Sequence, residues 1–355
     1  MYCGKEEFMK IIVDVMGGDN APKELVKGVY ASSLESPEVK YILVGDKTKI
    51  ERVAEECEID LSGFTIEHTS EVITMEDDPL CVTRSKSGSS MSVGLRLLAD
   101  GFGDAFVSAG NTGALFTGAS LIVRRAKGVR RAAIAAVLPA ESPVLLLDSG
   151  ANINVTPEYL EQFAVMGAAY MREIHGIENP RVGLLNNGAE ECKGTELQVS
   201  AYKLLSDCKQ INFVGNIEGN MVMRGICDVL VTDGFTGNIL LKGIEGMGRL
   251  MLKTMKDLFS ASVKSKAAYA LIRNEVGGIK KNFDSTEYGG APILGIAKPV
   301  IKAHGSSKQK AFKNALKQAI FCAEREIAES ISADMQALAD EKKAQKKTAA
   351  AKEEN

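Results

Sequence analysis

Nine short runs of β-branched and other apolar residues, at 10–15, 41–44, 65–68, 105–107, 133–138, 144–147, 181–185, 211–214 and 229–232, alternate with longer stretches of helical periodicity. The helical patterns cover 22–34, 47–57, 89–99, 113–125, 157–174 and 195–206. Such alternation demands a parallel sheet flanked by helices. Most runs are apolar throughout, as strands covered on both faces are. The expected fold is α/β: a three-layer α/β/α sandwich around a mostly parallel sheet.

The pattern changes after Asp233. Residues 239–259 carry an apolar helical stripe through Leu240, Ile244, Met247, Met251, Met255 and Leu258, and a second helical stretch covers 263–274. Together they predict a projecting helical hairpin within 239–284, suited to a dimer or membrane-surface contact. Residues 288–304 return to glycine-rich loop and strand, and 307–331 read as one long amphipathic helix. No proline-rich linker divides the chain, so 9–332 is expected to form one domain. Residues 1–8 lack the pattern of a secretion signal and read as a flexible extension. The Lys, Ala and Glu of 333–355 read as a disordered tail.

Composition narrows the function. Lys and Arg total 43 against 46 Asp and Glu, a formal charge of −3, which argues against bulk nucleic-acid binding. Seven scattered cysteines without a CxxC pair read as reduced, structural thiols and a cytoplasmic location. Three dispersed histidines, His68, His175 and His304, make a dedicated metal site unexpected. No apolar run reaches the roughly 18 residues of a membrane span.

Ligands of open α/β sheets bind beyond the carboxyl ends of the strands. Six runs end in turns of Gly with Asn, Asp or Thr: 16–22 (MGGDNAP), 108–114 (SAGNTGA), 148–152 (DSGAN), 186–191 (NNGAEE), 215–219 (GNIEG) and 233–238 (DGFTGN). One such turn is ordinary; six along one edge would build a donor-rich crevice. The 110–113 turn leads into a helix, whose N-terminal N–H groups favour an anion. Neither a Walker sequence nor GxGxxG is present, which leaves inorganic phosphate or a phosphorylated substrate. The chain also lacks a GxSxG elbow, so phosphate itself attacking a thioester fits a transferase. Arg84, Lys86, Lys193 and Lys302 are candidate cations for it, or else solvated surface charges. His304 can shuttle a proton, hold phosphate or serve the structure alone; Asp233 and Glu218 are either bases or turn caps. Arg124, Arg125, Lys127, Arg130 and Arg131 form a basic cluster that would steer an acidic protein partner.

These motifs, in this order, resemble the acyl-acyl-carrier-protein:phosphate acyltransferases of bacterial phospholipid synthesis. The matching segments are 14–19 (DVMGGD), 109–114 (AGNTGA), 148–152, 185–188 (LNNG) with Glu191, Lys193 and Gly194, 215–219, 233–238, 288–291 (YGGA) and 304–307 (HGSS). The likeness runs from about Met9 to Ile331. It implies a homodimer with a sandwich like that of isocitrate and isopropylmalate dehydrogenases and phosphotransacetylases. The implied reaction moves a fatty acyl group reversibly from acyl carrier protein to inorganic phosphate, with no metal or organic cofactor. The acyl phosphate would pass to a membrane glycerol-3-phosphate acyltransferase, with the protein itself peripheral to the membrane. A CoA-dependent phosphate acetyltransferase, a nicotinamide-dependent dehydrogenase and a non-catalytic scaffold for lipid synthesis are the competing readings.

Turns and resemblance together nominate Asn111, Lys193, Asp233, Asn238 and His304 for the chemistry. Gly17, Gly18, Asp19, Lys86, Gly110, Thr112, Gly113, Asn152, Asn216, Glu218 and Ser306 are nominated for phosphate or substrate. The cluster 124–131 is nominated for docking the carrier.

Overall fold

The computed structural model describes residues 8–282 and 289–353. Residues 1–7 of the expected leading extension, and Tyr288 of the 288–291 motif, lie outside the described residues. The strands are β1 (Lys10–Asp14), β2 (Lys40–Gly45), β3 (Phe64–His68), β4 (Ala105–Ser108), β5 (Ala133–Leu138), β6 (Val144–Leu147), β7 (Arg181–Asn186), β8 (Asn212–Glu218), β9 (Val229–Val231), β10 (Ala291–Leu294) and β11 (Val300–Lys302). They form one sheet in the order β3-β2-β1-β4-β11-β10-β5-β6-β9-β7-β8.

The pairing is mostly parallel, with a reversal at the centre. β10 is antiparallel to both β11 and β5, and β5 is antiparallel to β6. Consequently β1–β4, β11 and β5 run one way, while β10 and β6–β9 run the other. The six turns therefore do not share one edge. Those after β1 and β4 lie on one side, with the turn after β11; those after β6, β7, β8 and β9 lie on the other.

Ten helices are described: α1 (Lys23–Glu35), α2 (Lys47–Glu56), α3 (Ser90–Ala99), α4 (Thr112–Gly118), α5 (Pro157–His175), α6 (Glu196–Asp207), α7 (Gly234–Ser260), α8 (Val263–Asn282), α9 (Gln309–Glu324) and α10 (Ile327–Glu353). Residues 261–262 join α7 to α8, and the Phe259 ring lies 5.2 Å from that of Tyr269. The helix expected over 307–331 is broken: α9 stops at Glu324, and Glu326 takes a left-handed φ of 48° before α10 starts.

The tail expected to be disordered from 333 is instead helical through Glu353. Ile327, Ile331, Met335 and Leu338 bury a sparse apolar stripe in the main core. Arg172 of α5 bonds Asp334 at 3.0 Å, and Lys342 pairs with the buried Glu161.

The two faces of the sheet are covered differently. One face carries a continuous core from α1 and α9 across to α5 and α10. On the other, α3 and α4 pack over β1, β4 and β11 through Leu95, Phe106, Leu115 and Val300. A separate cluster sets Leu240, Leu241 and Ile244 of α7 over β6, β7 and β9. β5 crosses the gap between them. Successive strand residues alternate faces, so Ile134, Ala136 and Leu138 share one. Ile134 belongs to the first of these clusters and Leu138 to the second, with the small Ala136 left between.

Candidate active site

A cavity of about 510 Å³ opens over Ala136 and Ala291. One wall is Thr112 at the start of α4 with Lys302, His304 and Ser306 of the β11–α9 connection; the other is Leu241, Lys242, Glu245 and Arg249 of α7. Ser149 of the β6–α5 turn and Met75 also line it. A neighbouring recess of about 490 Å³ shares Thr112, Ser149 and Lys242 and adds Gly113, Gly150 and Asn238.

Glycines let three loops of the first wall meet. A Cβ on Gly17 would lie 2.8 Å from the Cα of Gly110, and one on Gly18, whose φ is 105°, would lie 2.9 Å from the Gly305 carbonyl. Asp19 N–H donates to that same carbonyl at 2.9 Å. Buried Asp14 braces the turn, accepting from Met16 N–H, Gly17 N–H and Ser108 Oγ at 3.1, 3.2 and 2.7 Å. Burial nonetheless holds its carboxyl above the usual carboxylate range. These glycines are packing devices; their lack of a side chain is spent on neighbouring backbone.

Asn111 is the N-cap of α4. Its Oδ1 accepts from Ala114 N–H at 3.0 Å, while Nδ2 donates to the carbonyls of Thr74, Met75 and Asp77 at 3.1, 3.1 and 3.2 Å. Both polar atoms of the amide are thus engaged within the chain. Lys86 works on the same 72–77 strap, donating to Val72 O at 3.0 Å and Asp77 Oδ2 at 2.5 Å. The two side chains fix Met75 at the mouth of the cavity. Thr112 is exposed there, and the N–H groups of Thr112 and Gly113 open the helix without intrahelical acceptors.

Asp233 likewise caps α7, accepting from Thr236 N–H at 2.8 Å and Thr236 Oγ1 at 2.7 Å. Asn152 donates to Ala132 O and Asp148 Oδ2 at 2.8 and 2.7 Å and is a buried brace. The α7 N-terminus seats on this turn: a Cβ on Gly237 would sit 2.0 Å from the Asp148 carbonyl oxygen.

The turns after β7 and β8 do not line either recess. Asn186 holds the Lys193 carbonyl at 3.0 Å, and Lys193 is exposed. Asn216 donates to Glu190 O at 2.9 Å, its buried Oδ1 without a partner among the described residues, and Glu218 ends β8. The basic cluster 124–131 leads into β5; Arg124, Arg125, Lys127, Arg130 and Arg131 are all exposed. The six described cysteines are free; four are buried, Cys57 is half-buried and Cys192 exposed, and none lines the cavity.

Electrostatics single out the β11–α9 connection. Burial, with help from nearby Lys242 and against Asp19, pushes the Lys302 amine down to about 8. His304 is lowered by burial, then by Lys302 and Lys242. Its Nδ1 accepts from Ser306 N–H at 3.2 Å and meets Ser306 Oγ at 2.9 Å, so the neutral ring carries its proton on Nε2. The arrangement supplies hydroxyls, a neutral imidazole donor and cations around a small apolar floor. Sequence reasoning missed Met75, Ser149, Lys242, Glu245 and Arg249; the last three were hidden on a helix read only for its apolar stripe.

The family model described as "Fatty acid synthesis protein" matches residues 9–330. A phosphate acyltransferase of Thermoanaerobacterium thermosaccharolyticum is 43% identical over 334 residues, covering 94% of this chain and 98% of that one. One from Acetivibrio thermocellus is 45% identical over 324 residues, covering 91% and 95%. Among solved structures, a phosphotransacetylase from Streptococcus pyogenes superposes with a TM-score of 0.62 at 18% identity, covering 92% of this chain and 95% of that one, a likeness of fold. The chain belongs to the phosphate acyltransferase family of fatty acid synthesis proteins.

Proposed function

We propose that the protein transfers a fatty acyl group from the thioester of acyl carrier protein to inorganic phosphate, reversibly, releasing acyl phosphate and the carrier's thiol. The observation that carries this reading is a cavity rich in cations and donors in a phosphate acyltransferase, with none of the described cysteines on its wall. Phosphate is then the attacking group. Its oxygen adds to the thioester carbon, the carbonyl oxygen becomes an oxyanion, and collapse expels the thiolate. Catalysis rests on positioning and on donors aimed at the developing charge. His304 Nε2–H and the Thr112 hydroxyl are suited to the oxyanion, and Ser306 to a phosphate oxygen. Asn238 and Ser149 bound the recess that would take the thioester arm. Lys193, Asn216 and Glu218 stand at the other edge of the sheet, so a role in chemistry would require reach from a second copy.

The cluster 124–131 suits the acidic carrier. Exposed Met247, Leu250, Met251, Leu258, Val263 and Leu271 on α7 and α8 suit a projecting hairpin that pairs two copies or rests on a membrane, where a glycerol-3-phosphate acyltransferase would take the product. No helix among the described residues is long and apolar enough to cross a membrane. The dehydrogenase-like arrangement and the single domain over 9–332 belong to the same proposal. The test is a discontinuous assay with acyl carrier thioester and phosphate, trapping acyl phosphate with hydroxylamine. Hydroxamate that depends on both substrates supports the reading. Product from acetyl-CoA alone, or from neither donor, overturns it.

A further inference from the structure

Three cations line the 510 Å³ cavity, and they are not equivalent. Glu245 pairs with Lys242 at 2.9 Å and approaches Arg249 at 3.9 Å, so the α7 wall is internally compensated. Lys302, at the end of β11, has no carboxylate within ion-pair distance among the described residues; its ammonium donates only to the Ala303 carbonyl. The side chain is partly buried, and a buried charge without a counterion is unfavourable unless a ligand supplies one. Its neighbours would surround such a ligand with donors: Ser306 and His304 follow it in the chain, and Thr112 shares the wall.

We infer that Lys302 is the cation that holds the phosphate acceptor, its missing counterion being the incoming phosphate itself. This rests on the proposed acyl transfer for the identity of the reaction, though the anion site stands on the unpaired lysine. An ammonium beside phosphate strengthens each hydrogen bond it donates and fixes the attacking oxygen near the thioester. The charged groups facing Lys302 are Asp19 from the β1–α1 turn, Lys242, Glu245 and Arg249 from α7, and His304 beside it. Burial pushes this amine down to about 8, so phosphate binding should weaken as pH rises past that point.

The test uses the full chain with Lys302→Met and Lys302→Arg, circular dichroism confirming that each is folded. Inorganic phosphate, with no acyl donor, should raise the wild-type melting temperature, and Lys302→Met should abolish that rise. Without phosphate the Met variant should melt no lower than wild type, since an unpaired charge has been replaced by an apolar chain of similar length. In the hydroxylamine assay, Lys302→Met should raise the phosphate KM by about tenfold or more, with a smaller change in kcat. Wild-type phosphate KM should climb above pH 8, while Lys302→Arg should keep a low KM and flatten that climb. Phosphate that leaves the wild-type melting temperature unmoved, or an unchanged phosphate response and KM in Lys302→Met, overturns the assignment. If the wild type makes no acyl phosphate yet phosphate stabilises it through Lys302, the transfer reading falls and the anion site stands.

Discussion

Replacing Asn111 with alanine removes two kinds of bond at once. The cap to Ala114 N–H is worth about 1 kcal/mol. The amide's two hydrogens serve the carbonyls of the 74–77 strap, about 1 kcal/mol for each bond. The expected loss is about 3 kcal/mol, or a melting temperature lower by about 6 °C at about 2 °C per kcal/mol in a large chain. Asn111→Ser keeps a capping oxygen and releases the strap, so it should lose about 2 kcal/mol. Asn111→Asp also keeps the cap but turns a carboxylate toward three carbonyl oxygens, and should be no more stable than the alanine variant. Calorimetry on the three variants, with KM for acyl donor and phosphate in parallel, separates the roles. A freed strap carries Met75 away from the cavity mouth and should raise the KM for the acyl donor. An alanine variant that melts with wild type while only its phosphate KM rises would show that the amide faces ligand, and the reasoning would fail.

Gly237→Ala should cost about 3 kcal/mol and much of the activity, because its methyl meets rigid backbone at Asp148, whereas Gly63→Ala, with open space around it, should be silent in the same melts. Lys342→Met should leave the buried Glu161 carboxylate unpaired and cost about 3 kcal/mol at pH 8. Burial already holds Glu161 above the usual carboxylate range, so the native state binds more protons than the unfolded chain and stability falls as pH rises through that window. Urea midpoints at pH 5 and pH 8 should therefore show a smaller deficit at pH 5; an equal deficit at both would dismiss the unpaired carboxylate as its cause.

Strands such as β1, β4 and β6 were legible because burial on both faces leaves an unbroken apolar run. β10 and β11 were not given bounds, since four residues containing Pro292 and three ending in Lys302 carry too little periodicity. Their pairing sense is set by contacts far away in the chain, and no local pattern reports it. The reversal at β10 and β5 follows from that sense, and with it the failure of the single-edge expectation. For Asn111 and Asp233 the sequence does not separate capping from a role in the chemistry, because a capping residue and a ligand-binding residue are the same chemical types in the same turns. The part of α10 beyond 333 was misread because two further apolar positions, Met335 and Leu338, suffice to extend the stripe of Ile327 and Ile331 when a core is waiting for them.

The seam explains why the candidate site lies where it does. A sheet running one way throughout would collect its turns along one edge, with the ligand outside the strands. Here the direction reverses at β10 and β5, and the helices of the second face stop on either side of it. The continuous core beneath ties the halves together, so the gap above can stay open without loosening the sheet. The β11–α9 turn approaches that gap from one half, and the β6–α5 turn with α7 approaches from the other. Glycine contacts at Gly17 and Gly18 pack the loops of one wall together, and Gly237 seats α7 on the β6–α5 turn of the other. Lys302, the last residue of β11, is the wall cation that no carboxylate among the described residues meets within ion-pair distance.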